Sequence, residues 1–245
     1  MKNEPKYRRP LNTYQIAILN TLYKFRFTTS ALLADNQQTK SLRVISSRLK
    51  ILVDQEYLGM NYDSTYKIKG KAATYYLNTK AVRYLREQPY TNEAALRSIY
   101  HDKRTTDTRI QHRLNVFKTY IRLKTVYPGR YKFYSKSELL TKPFVPKQRP
   151  DAYLIDSKTD QSYFLDCLED SMSFWTLRKT IRRYINYAEL EIWQKYQSNP
   201  HPVVLFVCET EQLARKVKSM VSKELDKSYA DIQVVVKLDE ELTLD

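Results

Sequence analysis

In "LNTYQIAILNTLYKFRF", residues 11–27, apolar side chains return every three or four positions. Ile16, Leu19, Leu22 and Tyr23 then share one stripe, which predicts an amphipathic helix with Thr13 as its N-cap. "TTSALLADNQQT" predicts a second, shorter helix capped by Thr29 or Ser30, with Ala31 and Leu32 turned inward. "KSLRVISSRLKILVDQEYLGM" predicts a third, whose buried face is Leu42, Ile45, Leu49 and Leu52 and whose end drops into a strand. "YKIKGKAATYYLN" reads as a β-turn-β unit with Gly70 at the turn, and "TKAVRYLREQ" as a closing helix. After Pro89 the chain turns polar, and apolar periodicity is lost beyond Ile99. That stretch reads as a linker with one short helix.

The remainder has a different rhythm. "IQHRLNVFKTYIRLKTVY" is helical, with Leu114, Phe117, Ile121 and Lys124 along one side. "YKFYSKSELL" predicts a strand and its exit. "PDAYLID" and "SYFLDCLED" predict a hairpin closed by "SKTDQ". "SFWTLRKTIRRYINYAELEIWQKY" is a long helix with Ser173 as its cap. "HPVVLFVCE" is a near-continuous apolar run, suited to a strand covered on both faces. "TEQLARKVKSMVSKEL" and "IQVVVKL" add a helix and a last strand. The order α-β-β-β-α-β-α-β predicts a mixed sheet flanked by helices. The expected division is residues 1–88, a linker over 89–108, and 109–245.

Charge separates the same two halves. The chain of 245 residues carries a formal net charge of +15. Residues 1–130 hold 25 Lys and Arg against 9 Asp and Glu, and residues 131–245 hold 17 against 18. The excess lies wholly in the first part, which points to a polyanionic partner there. Three glycines and no G-x-G-x-x-G or G-K-[ST] stretch argue against a nucleotide-binding loop. Cys167 and Cys208 sit in apolar strand-like runs and read as buried thiols rather than a disulfide. With no zinc spacing, no apolar leader and no run long enough for a membrane span, a cytoplasmic protein without membrane contact is expected.

The third helix carries the first candidate chemistry. Opposite its apolar face lie Lys40, Arg43, Ser47 and Lys50, with Ser46 and Arg48 at the margins. Such side chains suit a helix that reaches base edges and phosphates in a major groove. Three helices followed by a basic hairpin is the order of a winged helix-turn-helix, with Lys67, Lys69 and Lys71 on the wing against double-stranded DNA. The other reading of these charges is a solvated surface. In the second half, Asp151 heads one strand after a Pro, Asp166 ends the next, and a helix bearing Arg178, Lys179, Arg182 and Arg183 follows. Those cations read either as a DNA-backbone contact or as a solvated face paired to local acids. His112 reads as a packing or surface residue rather than a metal ligand.

The two acids in that order resemble the PD-(D/E)xK nuclease-like fold. Over residues 10–225 the chain more closely resembles the replication-relaxation family of plasmids, integrative elements and phages. The resemblance rests on "QHRLNVF", "RPDAYLI", "SYFLDCLEDS" and "LRKTIRRYINY". It implies an N-terminal winged helix joined to a nuclease-like α/β domain. A nuclease of that fold holds Mg²⁺ or Mn²⁺ between carboxylates, here Asp151 and Asp166, with a lysine stabilising the phosphate. The lysine's usual position is Leu168, which leaves Lys179 as its substitute. The expectation is therefore a DNA-binding protein of a mobile element, acting in replication or transfer, with an inactive or weak nuclease-like domain. The alternatives are a metal-dependent endonuclease or nickase, and an adaptor that recruits a replication or transfer protein.

Overall fold

The computed structural model describes residues 10–62 and 70–244, which divide into two compact units, 1–103 and 104–245. In the first, α1 (Thr13–Phe25), α2 (Ser30–Asn36) and α3 (Leu42–Asp54) precede a small antiparallel sheet. Its strands are β1 (Phe27–Thr28), β2 (Leu58–Asn61) and β3 (Thr74–Leu77), in the order β1-β3-β2. Helices α4 (Thr79–Arg86) and α5 (Glu93–Ile99) follow. Ile18, Leu19, Leu22, Leu33, Ile45, Leu49 and Leu52 are fully buried.

Several local expectations change. The cap of α1 is Asn12, not Thr13. Asn12 Oδ1 accepts from the Gln15 amide at 2.9 Å and Gln15 Oε1 accepts from the Asn12 amide at 3.0 Å, a reciprocal capping box. Gln15 is thereby buried, while Ile16 is only half-buried. On α2, capped by Thr29, Leu33 and Ala34 turn inward rather than Ala31 and Leu32. Leu42, expected in the core, is 53% exposed at the first turn of α3. In α1 and α3 the expected apolar stripe otherwise holds, with Leu19, Leu22, Tyr23, Ile45, Leu49 and Leu52 buried, and only in α2 is the inward face shifted, by two positions.

Within 89–108, α5 buries Ala95, Leu96 and Ile99. Its first residues are tied to α1 by the Asn92 amide donating to the Tyr23 hydroxyl at 2.7 Å. Arg26 ends α1 at φ 75°, a left-handed conformation unfavourable for a residue with a Cβ. Its guanidinium makes a two-pronged buried pair with Asp102, Nε–Oδ2 2.9 Å and NH2–Oδ1 2.8 Å. The pair offsets the backbone cost and holds the chain around residue 102 against the first unit.

In the second unit, α6 (Asp107–Val126) leads into β4 (Tyr131–Ser135), β5 (Ala152–Asp156) and β6 (Ser162–Leu168). Helix α7 (Phe174–Glu189), strand β7 (Val203–Cys208), helix α8 (Glu211–Leu225) and strand β8 (Val234–Leu238) complete it, in the element order the sequence predicts. The sheet order is β4-β5-β6-β7-β8, antiparallel from β4 to β6 and parallel from β6 to β8. Every residue of β7 is buried, as its unbroken apolar run requires. Phe164, Tyr184, Trp193, Val204 and Phe206 anchor the core between the sheet and α7 and α8. Cys167 and Cys208 are buried and unbridged. Among the described residues no helix is long and apolar enough to cross a membrane.

Candidate functional site

The exposed face of α3 is basic, as the pattern predicts. Lys40, Arg43, Ser46, Ser47 and Lys50 are all exposed, and Asp54 at the last position is the one acid on the helix. Ser41 caps the helix and Ile45, Leu49 and Leu52 fix its inner face, so the polar positions are turned outward by the packing. Arg48 is different. It is half-buried, lies over the Tyr14 ring at 4.0 Å and donates to Gln37 Oε1 at 3.5 Å, so it braces α3 against α1 and α2. Gly70 and Lys71 are exposed beyond the β2–β3 pair, while Lys67 and Lys69 lie outside the described residues. Where β2 and β3 run side by side, a Cβ at Gly59 would stand 2.3 Å from the Tyr76 ring, so any side chain there would have to push the ring aside.

In the second unit the acidic pair is built by register. Ala152 pairs with Leu165 across the β5–β6 hairpin, which sets Asp151 beside Asp166. The Asp151 amide donates to Asp166 Oδ1 at 3.1 Å, and the Cys167 amide donates to Asp151 Oδ2 at 3.2 Å. Alternation along β6 sends Phe164, Asp166 and Leu168 toward α7 and Cys167 toward α6, where Thr119 touches its sulfur at 3.5 Å. Both aspartates are buried, at 3% and 5% exposure.

Three cations meet them. His112 on α6 sets Nε2 3.0 Å from Asp151 Oδ2 and Nδ1 3.1 Å from Glu169 Oε1. An ionised carboxylate only accepts, so both ring nitrogens carry protons and the side chain is an imidazolium. Asn115, one turn along α6, donates to the same Glu169 oxygen at 2.9 Å. Lys136, just past β4, places Nζ 3.5 Å from Asp151 Oδ1. From α7, Arg183 and the Tyr184 hydroxyl both donate to Asp166 Oδ2, the latter at 2.6 Å. Asp151, Asp166 and Glu169 are therefore balanced by His112, Lys136 and Arg183 inside the protein.

The titrations follow from that geometry. Burial pulls His112 down, but the Asp151 charge and the hydrogen bonds to Asp151 and Glu169 outweigh it and lift it to about 10. Burial would raise the Asp151 carboxyl, yet His112, then Lys136 and Arg113, hold it well below the usual carboxylate range. Burial and the neighbouring Asp151 charge push Asp166 up, against the pull of Arg183 and Tyr184. Burial also pushes the Cys167 thiol and the Tyr184 hydroxyl up.

A divalent metal does not fit this arrangement. Each carboxylate oxygen of the pair accepts from a protein donor, so an ion between the two acids would compete with the charges of His112, Lys136 and Arg183. Among the described residues no group of three or more His, Cys, Asp or Glu is arranged to hold one. In this arrangement Asp151 and Asp166, the expected ligand pair, sit within an internal ion network. Lys179 pairs with neither acid: its ammonium lies over the Trp175 ring at 5.0 Å. The lysine nearest the pair is Lys136, which the sequence reading missed because it lies outside the D-x-L triplet and is brought in only by the β4–β5 pairing. His112, expected as a packing or surface residue, is the hub of the network. Its signal, two acids at strand ends facing one helix, appears only on folding.

The helix cations divide. Arg183 serves Asp166 and is 14% exposed. Arg178 and Arg182 give their Nε atoms to the two oxygens of Glu224 on α8, at 2.7 and 2.6 Å, which depress its carboxyl. They stay 39% and 53% exposed and line a groove on the outer side of α7 with Lys179. A separate cleft of about 260 Å³ at the carboxyl ends of β6 and β7 is lined by Asn115, Lys118, Cys167, Glu169, Glu209 and Asp239.

A family model described as Replication-relaxation matches residues 19–203, three quarters of the chain. No curated protein matches. Among solved structures, a mutant of ZitR from Lactococcus lactis is 21% identical, over 51% of this chain and 80% of its own, with a TM-score of 0.28. The restriction endonuclease FokI is 15% identical, over 94% of this chain and 42% of its own, with a TM-score of 0.36. At TM-scores this low neither likeness bears on the fold or the site.

Proposed function

Because this chain belongs to the replication-relaxation family, we propose that it is a DNA-binding protein of a mobile genetic element, acting in the element's replication or transfer. Its first unit works as a winged helix that lays α3 in the major groove of a duplex. Its second unit is a nuclease-like scaffold that does not cut. The outward face of α3 carries the reading: Lys40, Arg43, Ser47 and Lys50 are exposed together, with no acid until the last residue. A long flexible cation can reach a guanine edge or a phosphate from that face, and a duplex offers one negative charge per ~1.7 Å of axis. The loss of cutting is supported by the internal balance of Asp151 and Asp166 and by the buried Leu168 where a lysine would stand.

Binding to random duplex pools at two salt concentrations tests this. Arg43→Ala combined with Lys50→Ala is expected to weaken binding, and each lost phosphate contact to flatten the log–log salt slope by ~0.9. If Arg43 reaches a base, preference at that position relaxes by ~1–3 kcal/mol. Unchanged affinity, preference and salt slope would remove α3 as the reading helix.

A further inference from the structure

Helix α7 exposes what the acidic pair does not use. Trp175 is 68% exposed and Phe174 57%, at the first turn of a helix whose other aromatic residues, Tyr184 and Tyr187, are buried. Trp175, Arg178, Lys179, Arg182, Arg183 and Asn186 line one groove of about 390 Å³, within the ~300–1,000 Å³ of ordinary ligand clefts. Glu224, behind the groove, holds Arg178 and Arg182 by their Nε atoms and so sets the direction of both guanidinium groups. Arg183, tied to Asp166 through NH2, leaves its Nε buried without a hydrogen-bond partner. Lys179 lies against the indole at 5.0 Å, and Lys216 of α8 lies 5.9 Å from the Phe174 ring.

We infer that this groove binds single-stranded DNA, with an unpaired base stacked on Trp175 and the backbone running along Arg178, Lys179 and Arg182. An exposed indole beside three cations is the combination by which single strands are held: stacking for the base, positive charge for the phosphates. A duplex covers both faces of all but its terminal bases, so Trp175 gains nothing from it. The inference rests on the reading of the chain as a DNA-binding protein only for the kind of polyanion, and it uses residues of the second unit alone.

Tryptophan emission of the full chain tests it, because the only other tryptophan, Trp193, is 1% exposed and stays shielded. Oligothymidylate, which does not pair with itself, is expected to quench part of the emission. Trp175→Phe keeps the affinity and loses the quench. Trp175→Ala weakens oligothymidylate binding ~5- to 150-fold, the span of one lost base stack, and leaves duplex binding unchanged. Lys179→Ala lowers the single-strand salt slope by ~0.7. Equal single-strand affinity in wild type and Trp175→Ala would overturn the inference, as would equal quenching by polyglutamate of matched charge. The Arg43→Ala, Lys50→Ala variant keeps the two readings apart. If it alone loses duplex binding, α3 stands whatever Trp175 does. If it binds duplex as wild type while Trp175→Ala loses the single strand, the groove stands and the α3 reading fails.

Discussion

Replacing His112 by alanine should cost the second unit roughly 4 kcal/mol of stability at pH 7, and should do so in a pH-dependent way. The imidazolium bridges Asp151 and Glu169, and its side chain is 21% exposed. Its affinity for the proton rises from an ordinary value near 6.5 to about 10 on folding. A group whose folded value is raised adds stability in full below its unfolded value, and that stability is lost as pH rises through the folded one. At 1.36 kcal/mol per pH unit the contribution is roughly 4 kcal/mol at pH 7 and is nearly gone by pH 10. The depression of Asp151 is the same interaction seen from the other partner and is counted once. An independent figure agrees: stripping one member from a buried ion pair costs ~3–5 kcal/mol, because the other charge stays buried. Urea unfolding followed by tryptophan emission reads the second unit by itself, since Trp175 and Trp193 both lie in it. Between pH 7 and 10 the wild type is expected to lose about 3–4 kcal/mol more than His112→Ala. His201, whose value burial lowers, titrates below this window and does not blur it. Parallel pH profiles, or a loss at pH 7 under ~1 kcal/mol, would refute the imidazolium bridge.

Three further outcomes follow from the packing. Arg26→Ala should remove the two-pronged partner of Asp102 and destabilise the first unit by on the order of 1–3 kcal/mol, with faster proteolysis around residues 89–103 as the readout; an unchanged cleavage pattern would show that the pair does not hold this stretch. Gly59→Ala should cost ~1–3 kcal/mol, because the new methyl meets the buried Tyr76 ring, and trimming Tyr76 to leucine in the same chain should recover part of the loss; additive costs in a double-mutant cycle would refute the clash. Millimolar Mg²⁺ or Mn²⁺ should neither shift the unfolding midpoint of the second unit nor produce cleavage of single-stranded, duplex or nicked DNA; metal-dependent cutting that disappears in Asp151→Asn would overturn the internal ion network.

Periodicity and charge alone determined the element order of the second unit, the unbroken burial of β7, the basic outer face of α3 and the thiol state of the cysteines; the short strand β1 was not legible. These depend on what each residue does in water and on local spacing of 3.6 or 2, both readable along the chain. The cap of α1, Asn12 with Gln15, and the inward face of the short α2, Leu33 and Ala34, were less legible. Only the tertiary structure decided what the acids do. Asp151 and Asp166 are 15 positions apart and become neighbours through the β5–β6 register. Their cations arrive from three separate elements: His112 on α6, Lys136 past β4 and Arg183 on α7. A carboxylate beside an ammonium and a carboxylate beside a metal look the same in a sequence. Which one a protein contains depends on charges that meet across the fold, where burial makes an uncompensated charge too costly to keep.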